Sequence, residues 1–250
     1  AGCMGGSWVS LTPAPVAQGN ITLSSDTADF NIFDNLGSPT APLTVTLTIN
    51  PGVTIYSTNT GTPALSTGPL PNGSTVAIIN NGTIAGAGGA GGKGTYRSGG
   101  FNPTNGAPGG DAMDIRLNVS IDNTKGSILG GGGGGGGGFD DFYYDVNDNQ
   151  IDVDGGGGGG GAGRNAGAGG ERNGNNGSSG TISAGGAGGA AINPLEVNNP
   201  GGNGGGSGQG GSSAPGCCGG STSGGSPGKA INTNGFNAAI TGGTVSGVVN

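Results

Sequence analysis

The residues best suited to chemistry lie together. From Phe139 to Asp154 the chain carries four aromatics (Phe139, Phe142, Tyr143, Tyr144) and six aspartates, set between two runs of glycine. Rings exposed on a loop give large, stiff contact area, and carboxylates with Asn give acceptors, a mixture suited to a carbohydrate or an outer-membrane protein loop. The competing reading packs the same rings over the adjoining chain as a local core. Asp145, Asn147, Asn149 and Asp152 alternate as calcium ligands do, but the sixth loop position is not Gly and Gly156 stands at the twelfth, where Glu is needed. No metal or cofactor is expected. With no His in the sequence, neither a Ser-His-Asp nor a Cys-His arrangement can form. Paired carboxylates could cleave a glycosidic bond only in a rigid cleft, which a single insertion does not supply. The chain is therefore not expected to be an enzyme. Further candidate binding residues are Tyr96, Arg97 and Phe101 in one short loop and Arg172 and Asn175 in another, with 194–199 and the Cys217-Cys218 bend as additional loops.

Composition narrows the partners. A net charge of -7 with scattered basic residues gives no patch for phosphate, so no nucleic-acid partner is expected. No stretch approaches the roughly 18 apolar residues of a membrane span, and no basic segment with an apolar core opens the chain as a secretion signal would. Cys3, Cys217 and Cys218 do not make a disulfide framework and read as reduced thiols in a protein assembled in cytoplasm.

The 67 glycines, with 8% charged and 4% aromatic residues, rule out a large conventional core. Such a composition usually means disorder. Here the scarcity of charge and the regular Ile/Val phrases between glycine runs favour order. Leu43, Val45, Leu47 and Ile49 alternate with threonines, the period of a strand with one buried face. Val76-Ala-Ile-Ile-Asn-Asn-Gly-Thr-Ile84-Ala-Gly and Val119-Ser-Ile-Asp-Asn-Thr-Lys-Gly-Ser-Ile128-Leu-Gly repeat one phrase, with a looser copy at Ile240–Gly247. Asn and Gly tolerate positive φ, so each phrase reads as a strand turning tightly into a second short strand, a β-solenoid corner.

The glycine tracts have their own register. In Gly86–Gly94 the rows 86/89/92 and 88/91/94 are all glycine, while Ala87, Ala90 and Lys93 form the third. Polyglycine II turns once in three residues and makes no internal hydrogen bonds, so two bare faces can meet neighbouring helices and one carries side chains. Collagen, the rival, needs an unbroken Gly every third residue with abundant Pro, against the nine consecutive glycines of 130–138. The expected fold is mostly β and irregular: solenoid-like short strands, a bundle of polyglycine II helices joined by loops, and little or no α-helix. The expected organisation is an N-terminal attachment arm at 1–42, or equally a cap on the strands that follow, then a β-rich segment at 43–85. A glycine-rich domain at 86–250 completes it, with strand phrases at 114–129 and 231–249.

The phrase from Val76 into the Gly86–Gly94 tract, followed by glycine tracts alternating with variable loops, resembles the glycine-rich adhesins at the tips of tailed-phage fibres, over residues 43–250. The resemblance implies a sandwich of polyglycine II helices in a virion tail fibre or tail tip, with distal loops that contact a bacterial surface receptor, protein or glycan. It also implies a fibre or tail-tip partner, which the N-terminal segment would hold. The homopolymeric glycine run and the acidic aromatic insertion depart from that pattern and leave helix number and receptor type open. The alternative is an extracellular structural or ice-binding glycine-rich protein, but the side-chain rows mix Ala, Lys, Asn, Ser and Gln where ice binding needs one regular row.

Overall fold

The computed structural model describes residues 16–95, 102–171, 176–191, 199–215 and 220–250. The first strands, β1 (Ala17–Leu23), β2 (Thr27–Ala28) and β3 (Phe30–Asn31), lead into the single-turn helix α1 (Ile32–Asn35), whose N-cap Asn31 accepts from the Phe33 and Asp34 amides. The circuit recurs as β4 (Leu43–Ile49), β5 (Thr54–Tyr56) and β6 (Leu65–Ser66), and again as β7 (Thr75–Asn80), β8 (Thr83–Ala85) and β9 (Met113–Asp114). Next come β10 (Val119–Asp122), β11 (Ser127–Leu129), β12 (Asp141–Tyr144), β13 (Gln150–Val153), β14 (Ala214–Pro215), β15 (Ser221–Thr222) and β16 (Ile231–Asn232). β17 (Ala238–Thr241) and β18 (Thr244–Ser246) follow.

Three parallel sheets assemble from every third strand of the repeating circuit. They run β1-β4-β7-β10-β17, β2-β5-β8-β11-β18 and β3-β6-β9-β16. The chain therefore climbs one rung per circuit around a three-faced β-solenoid. Inward positions stack in register: Ile21, Leu47, Ile78, Ile121 and Ile240 on the first face, Ile55, Ile84, Ile128 and Val245 on the second, and Phe30, Leu65, Met113, Ile231 and Val249 on the third. Apart from the exposed Val245 and Val249, these ladders belong to or pack against a single hydrophobic cluster, and each fully buried aliphatic side chain contributes about 1.5–3 kcal/mol of transfer free energy. At the corner between the first two faces, Asn80 Nδ2 donates to Asn123 Oδ1 at 2.7 Å and Asn80 Oδ1 accepts from Gly82 N at 3.1 Å, so buried amides satisfy the turn. The repeated Asn/Gly phrases of the sequence are these corners. The strand stack also includes β1 to β3, which precede Leu43; Gly19 stands at an inward position of β1, breaks the apolar alternation there and hides it from a periodicity reading.

Glycine segments leave the solenoid at one corner, after β8 and after β11, and return at β9 and β16. Gly86, Gly89 and Gly92 donate to Leu129, Gly132 and Gly135 carbonyls at 2.8, 2.8 and 2.7 Å. The same spacing of three recurs between neighbouring tracts throughout, as polyglycine II requires. The segment 130–138 exchanges peptide hydrogen bonds with six others, at 86–95, 104–110, 156–162, 202–208, 209–212 and 225–228. Segment 155–162 is likewise surrounded, by 89–92, 132–138, 167–170, 178–181, 186–189 and 199–205. A Cβ at Gly133, Gly134 or Gly135 would lie 2.0, 1.9 or 2.0 Å from a carbonyl oxygen of a different neighbour, one for each row. A helix enclosed on all sides has no row free for side chains, and this is why these two segments are nearly pure glycine. On the peripheral helix 86–94 the Ala90 and Lys93 row faces solvent, although Ala87 is buried.

Candidate functional site at the loop end of the glycine sandwich

One end of the glycine sandwich is docked on the solenoid. Arg164 Nη2 reaches Asp26 Oδ2 at 3.2 Å with its guanidinium 5.6 Å from the centre of the Tyr56 ring, Asn165 Nδ2 donates to Ser57 O, and Ser246 Oγ donates to Ser207 O. The opposite end is where the longer connections begin and finish. There Thr95 N donates to Gly138 O at 3.0 Å, Gly137 N to Thr104 O, Gly156 N to Asn199 O and Gly177 N to Gly170 O, while Thr222 Oγ1 donates to Gly137 O at 2.6 Å. The described residues that flank 96–101, 172–175, 192–198 and 216–219 therefore share this end with the insertion 139–154. Tyr96, Arg97, Phe101, Arg172 and Asn175 themselves lie outside the described residues.

The 139–154 insertion is an antiparallel hairpin. Phe142 pairs with Asp152 and Tyr144 with Gln150 across β12 and β13, which places both rings on one face by the two-residue period of a strand. Their centroids are 5.9 Å apart at 88°, an edge-to-face pair, and the residues are 42% and 60% exposed. Val146, at the tip, is fully exposed. Phe139 has a different role: its ring lies where a Cβ on Gly220 would be, 2.8 Å from Cε1, so it is packed at the hairpin base. Buried Val153 is on the strand returning to that base. Tyr143 occupies the intervening position of β12, and its side chain is not among those described.

Asp145 organises the tip. Its Oδ1 accepts from the Asn147 and Asn149 amides at 2.8 and 2.9 Å, and Oδ2 accepts from Asn149 Nδ2 at 3.1 Å. The Asn149 side chain first, then the Asn149 and Asn147 amides, hold this carboxyl below its ordinary value of 3.8. Both oxygens thus serve the turn itself, as Asp and Asn side chains commonly do. Asp148, with φ +58, completes the tip.

A feature the sequence reading missed lies on the third solenoid face. Outward residues Asn31, Ser66, Asp114 and Asn232 stack one per rung and floor a cleft of about 380 Å³ that Asp29, Asp111 and Arg116 also line. Two-residue strands carry too little periodicity to reveal such a ladder. Asp114 spends its oxygens on Asn232, Asn234 and Arg116, so its bonds tie rungs together.

A family of phage tail fibre adhesins, described as Gp38, matches residues 18–250. Among solved structures, the crystal structure of the gp37-gp38 adhesin tip complex of the bacteriophage S16 long tail fibre is similar, with 26% identity and a TM-score of 0.62. The match covers 93% of this chain and 82% of that one. No curated protein matches the sequence.

Proposed function

Because the chain belongs to the phage tail fibre adhesin family Gp38, we propose that it is the receptor-binding tip of a bacteriophage tail fibre. It acts by non-catalytic contact with a bacterial surface protein loop or glycan. The observation that carries this reading is the gathering at one end of the sandwich of the Phe142 and Tyr144 pair and the anchors of every other candidate loop, while the opposite end is fixed to the solenoid. Rigid supports with variable connections at one end are the arrangement in which loops carry recognition. Polyglycine II suits the task because neighbouring helices lock through the peptide groups themselves, leaving the connections free to vary.

The aromatic pair is the proposed anchor, with Tyr143 and the Tyr96, Arg97, Phe101, Arg172 and Asn175 loops around it and Phe139 supporting the hairpin from its base. The N-terminal segment 1–42 is proposed to hold the fibre or tail-tip protein, in line with the fibre complex of the similar structure. The virion, after assembly in the host cytoplasm, is the proposed location. No nucleic acid, cofactor or membrane insertion enters the mechanism; among the described residues no helix is long and apolar enough to cross a membrane.

Adsorption of particles carrying Phe142→Ala and Tyr144→Ala tests the reading. Aromatic anchors often carry a disproportionate share of interface energy, so adsorption should fall by about tenfold or more with an unchanged melting temperature. Unchanged adsorption removes the hairpin from the site, and a collapsed melting transition returns it to the local-core reading.

A further inference from the structure

The cleft on the third solenoid face is rigidly walled. Its floor is the outward row Asn31, Ser66, Asp114 and Asn232, one residue from each of four rungs in register. One wall is the connection from β5 to β6, the second-rung turn at the corner from which the glycine segments leave on later rungs. Asn59 Oδ1 accepts from Gly61 N at 2.9 Å and from Thr62 Oγ1 at 3.3 Å, and Asp29 Oδ1 accepts from Thr58 N at 2.8 Å, which ties the turn to the preceding rung. Thr60 is pressed against the glycine sandwich: a Cβ on Gly110 would lie 2.9 Å from Thr60 Cα. Asp29 holds φ at +47, a left-handed conformation uncommon outside glycine and concentrated at sites that clamp ligands.

Part of the hydrogen-bonding capacity here is aimed at no protein group. Arg116 donates through Nε to Asp114 at 3.2 Å, and its two Nη groups have no partner among the described residues. Asp111 accepts from Lys229 N through Oδ1 at 2.7 Å, which leaves Oδ2 free among the described residues. Asn31 spends its oxygen on the α1 cap and Ser66 accepts from Gly68 N, so the Asn31 amide and the Ser66 hydroxyl remain as donors. Donors beside a free carboxylate oxygen match adjacent hydroxyls, each of which donates once and also accepts. Other ligands fit less well. Asp29, Asp111 and Asp114 outnumber Arg116 and repel an anion, and among the described residues no cluster of metal-ligating side chains is placed to hold a cation. No aromatic ring is among the lining residues to hold an apolar ligand. The volume of about 380 Å³ falls within the roughly 300–1,000 Å³ of small-molecule sites.

We propose that this cleft is a second binding site and that its ligand is an uncharged saccharide. Asp111 Oδ2 accepts from one hydroxyl, while the Arg116 guanidinium, the Asn31 amide and the Ser66 hydroxyl donate to its neighbours. Segment 104–110 runs from the loop end, where Thr104 is bonded to Lys93, to Gly110 beside Thr60, on the order of 20 Å at 3.1 Å per residue. The cleft is therefore separate from the aromatic hairpin, and the two sites stand or fall independently. A saccharide held here gives a second point of attachment, which raises the effective concentration of the first.

Nuclear magnetic resonance titration of the full chain with the methyl glycosides of glucose, galactose, mannose and N-acetylglucosamine tests the assignment, with glucuronate as the anionic comparison. At least one uncharged glycoside should shift the side-chain signals of Asn31, Asn232 and Arg116 saturably, and glucuronate should bind more weakly. Arg116→Ala leaves Asp114 its Asn232 and Asn234 donors, and Asp111→Asn keeps an oxygen for Lys229 N. Both variants should thus keep the wild-type melting temperature while affinity falls about tenfold or more, as expected when a hydrogen bond to a charged group is lost. Polysaccharide stripped from susceptible cells, added as a competitor, separates a surface glycan from a free sugar as the source. No shift with any glycoside, a preference for glucuronate, shifts confined to 139–154, or wild-type affinity in both folded variants overturns the proposal.

Discussion

Gly91 and Lys93 stand two residues apart on the same peripheral glycine helix and should respond very differently to becoming alanine. A Cβ on Gly91 would lie 2.0 Å from Gly158 O and 2.6 Å from Gly158 C. Carbon and oxygen atoms do not approach so closely, so segment 155–162 would have to retreat by on the order of 1 Å. The hydrogen bonds that hold it there are short: Gly158 N to Gly92 O at 2.8 Å, Gly161 N to Gly89 O at 2.8 Å and Gly170 N to Gly158 O at 2.7 Å. Losing them costs about 3 kcal/mol at about 1 kcal/mol each. Restricting the unfolded chain returns about 0.4–1 kcal/mol. The net loss of about 2 kcal/mol corresponds to a melting temperature lower by roughly 4–8 °C for a chain of this size. Lys93 faces solvent, and its contact with Glu171 is 3.6 Å between groups that are 67% and 80% exposed, so Lys93→Ala should cost about 0.5 kcal/mol or less after screening. Differential scanning calorimetry of the two variants decides the matter. Equal melting temperatures would refute the assignment of rows to buried and exposed faces.

Two further outcomes follow from named bonds. Asn80→Ala leaves the Gly82 amide and the Asn123 carbonyl oxygen without their buried partner and should destabilise the solenoid by about 2–4 kcal/mol; a denaturant midpoint equal to wild type would show that water replaces the amide at no cost. The Asp145 carboxyl is lowered in the folded hairpin, so its contribution to the turn is complete above the unfolded value near 3.8 and is lost as pH falls through the lower folded one. Its NMR titration midpoint should therefore lie below 3.8 and should move up toward the free value, without reaching it, in the Asn149→Ala variant, which removes the side-chain donor and keeps the two backbone amides. A midpoint at or above 3.8 in the wild-type chain would mean that the Asn149 and Asn147 bonds do not form.

Much of the scaffold was legible because its signals are local. The alternation at Leu43–Ile49 and the Asn-Gly phrases at 80–82 and 123–126 mark the solenoid corners, and the row pattern of 86–94 anticipates which faces meet neighbours. The nine glycines of 130–138 read as a departure from pattern, yet a helix with six neighbours can carry nothing else. That meaning depends on packing partners distant in sequence. The third face, built of two-residue strands such as Leu65–Ser66 and Met113–Asp114, is too short to show a period. In the site, the clustering of aromatics was visible but not their division of labour. Phe139 packs at the hairpin base and Phe142 with Tyr144 faces outward, because strand pairing assigns them to different environments.

The central claim is recognition by the loop end, and competition for the host surface tests it most directly. The purified chain should bind susceptible cells and block adsorption of wild-type particles. A variant whose hairpin 140–152 is replaced by a short glycine turn, keeping Phe139 and buried Val153 at the base, should fold with the same melting temperature and fail to block. A chain that neither binds cells nor competes, or a hairpin-less variant that competes as well as wild type, would contradict the account.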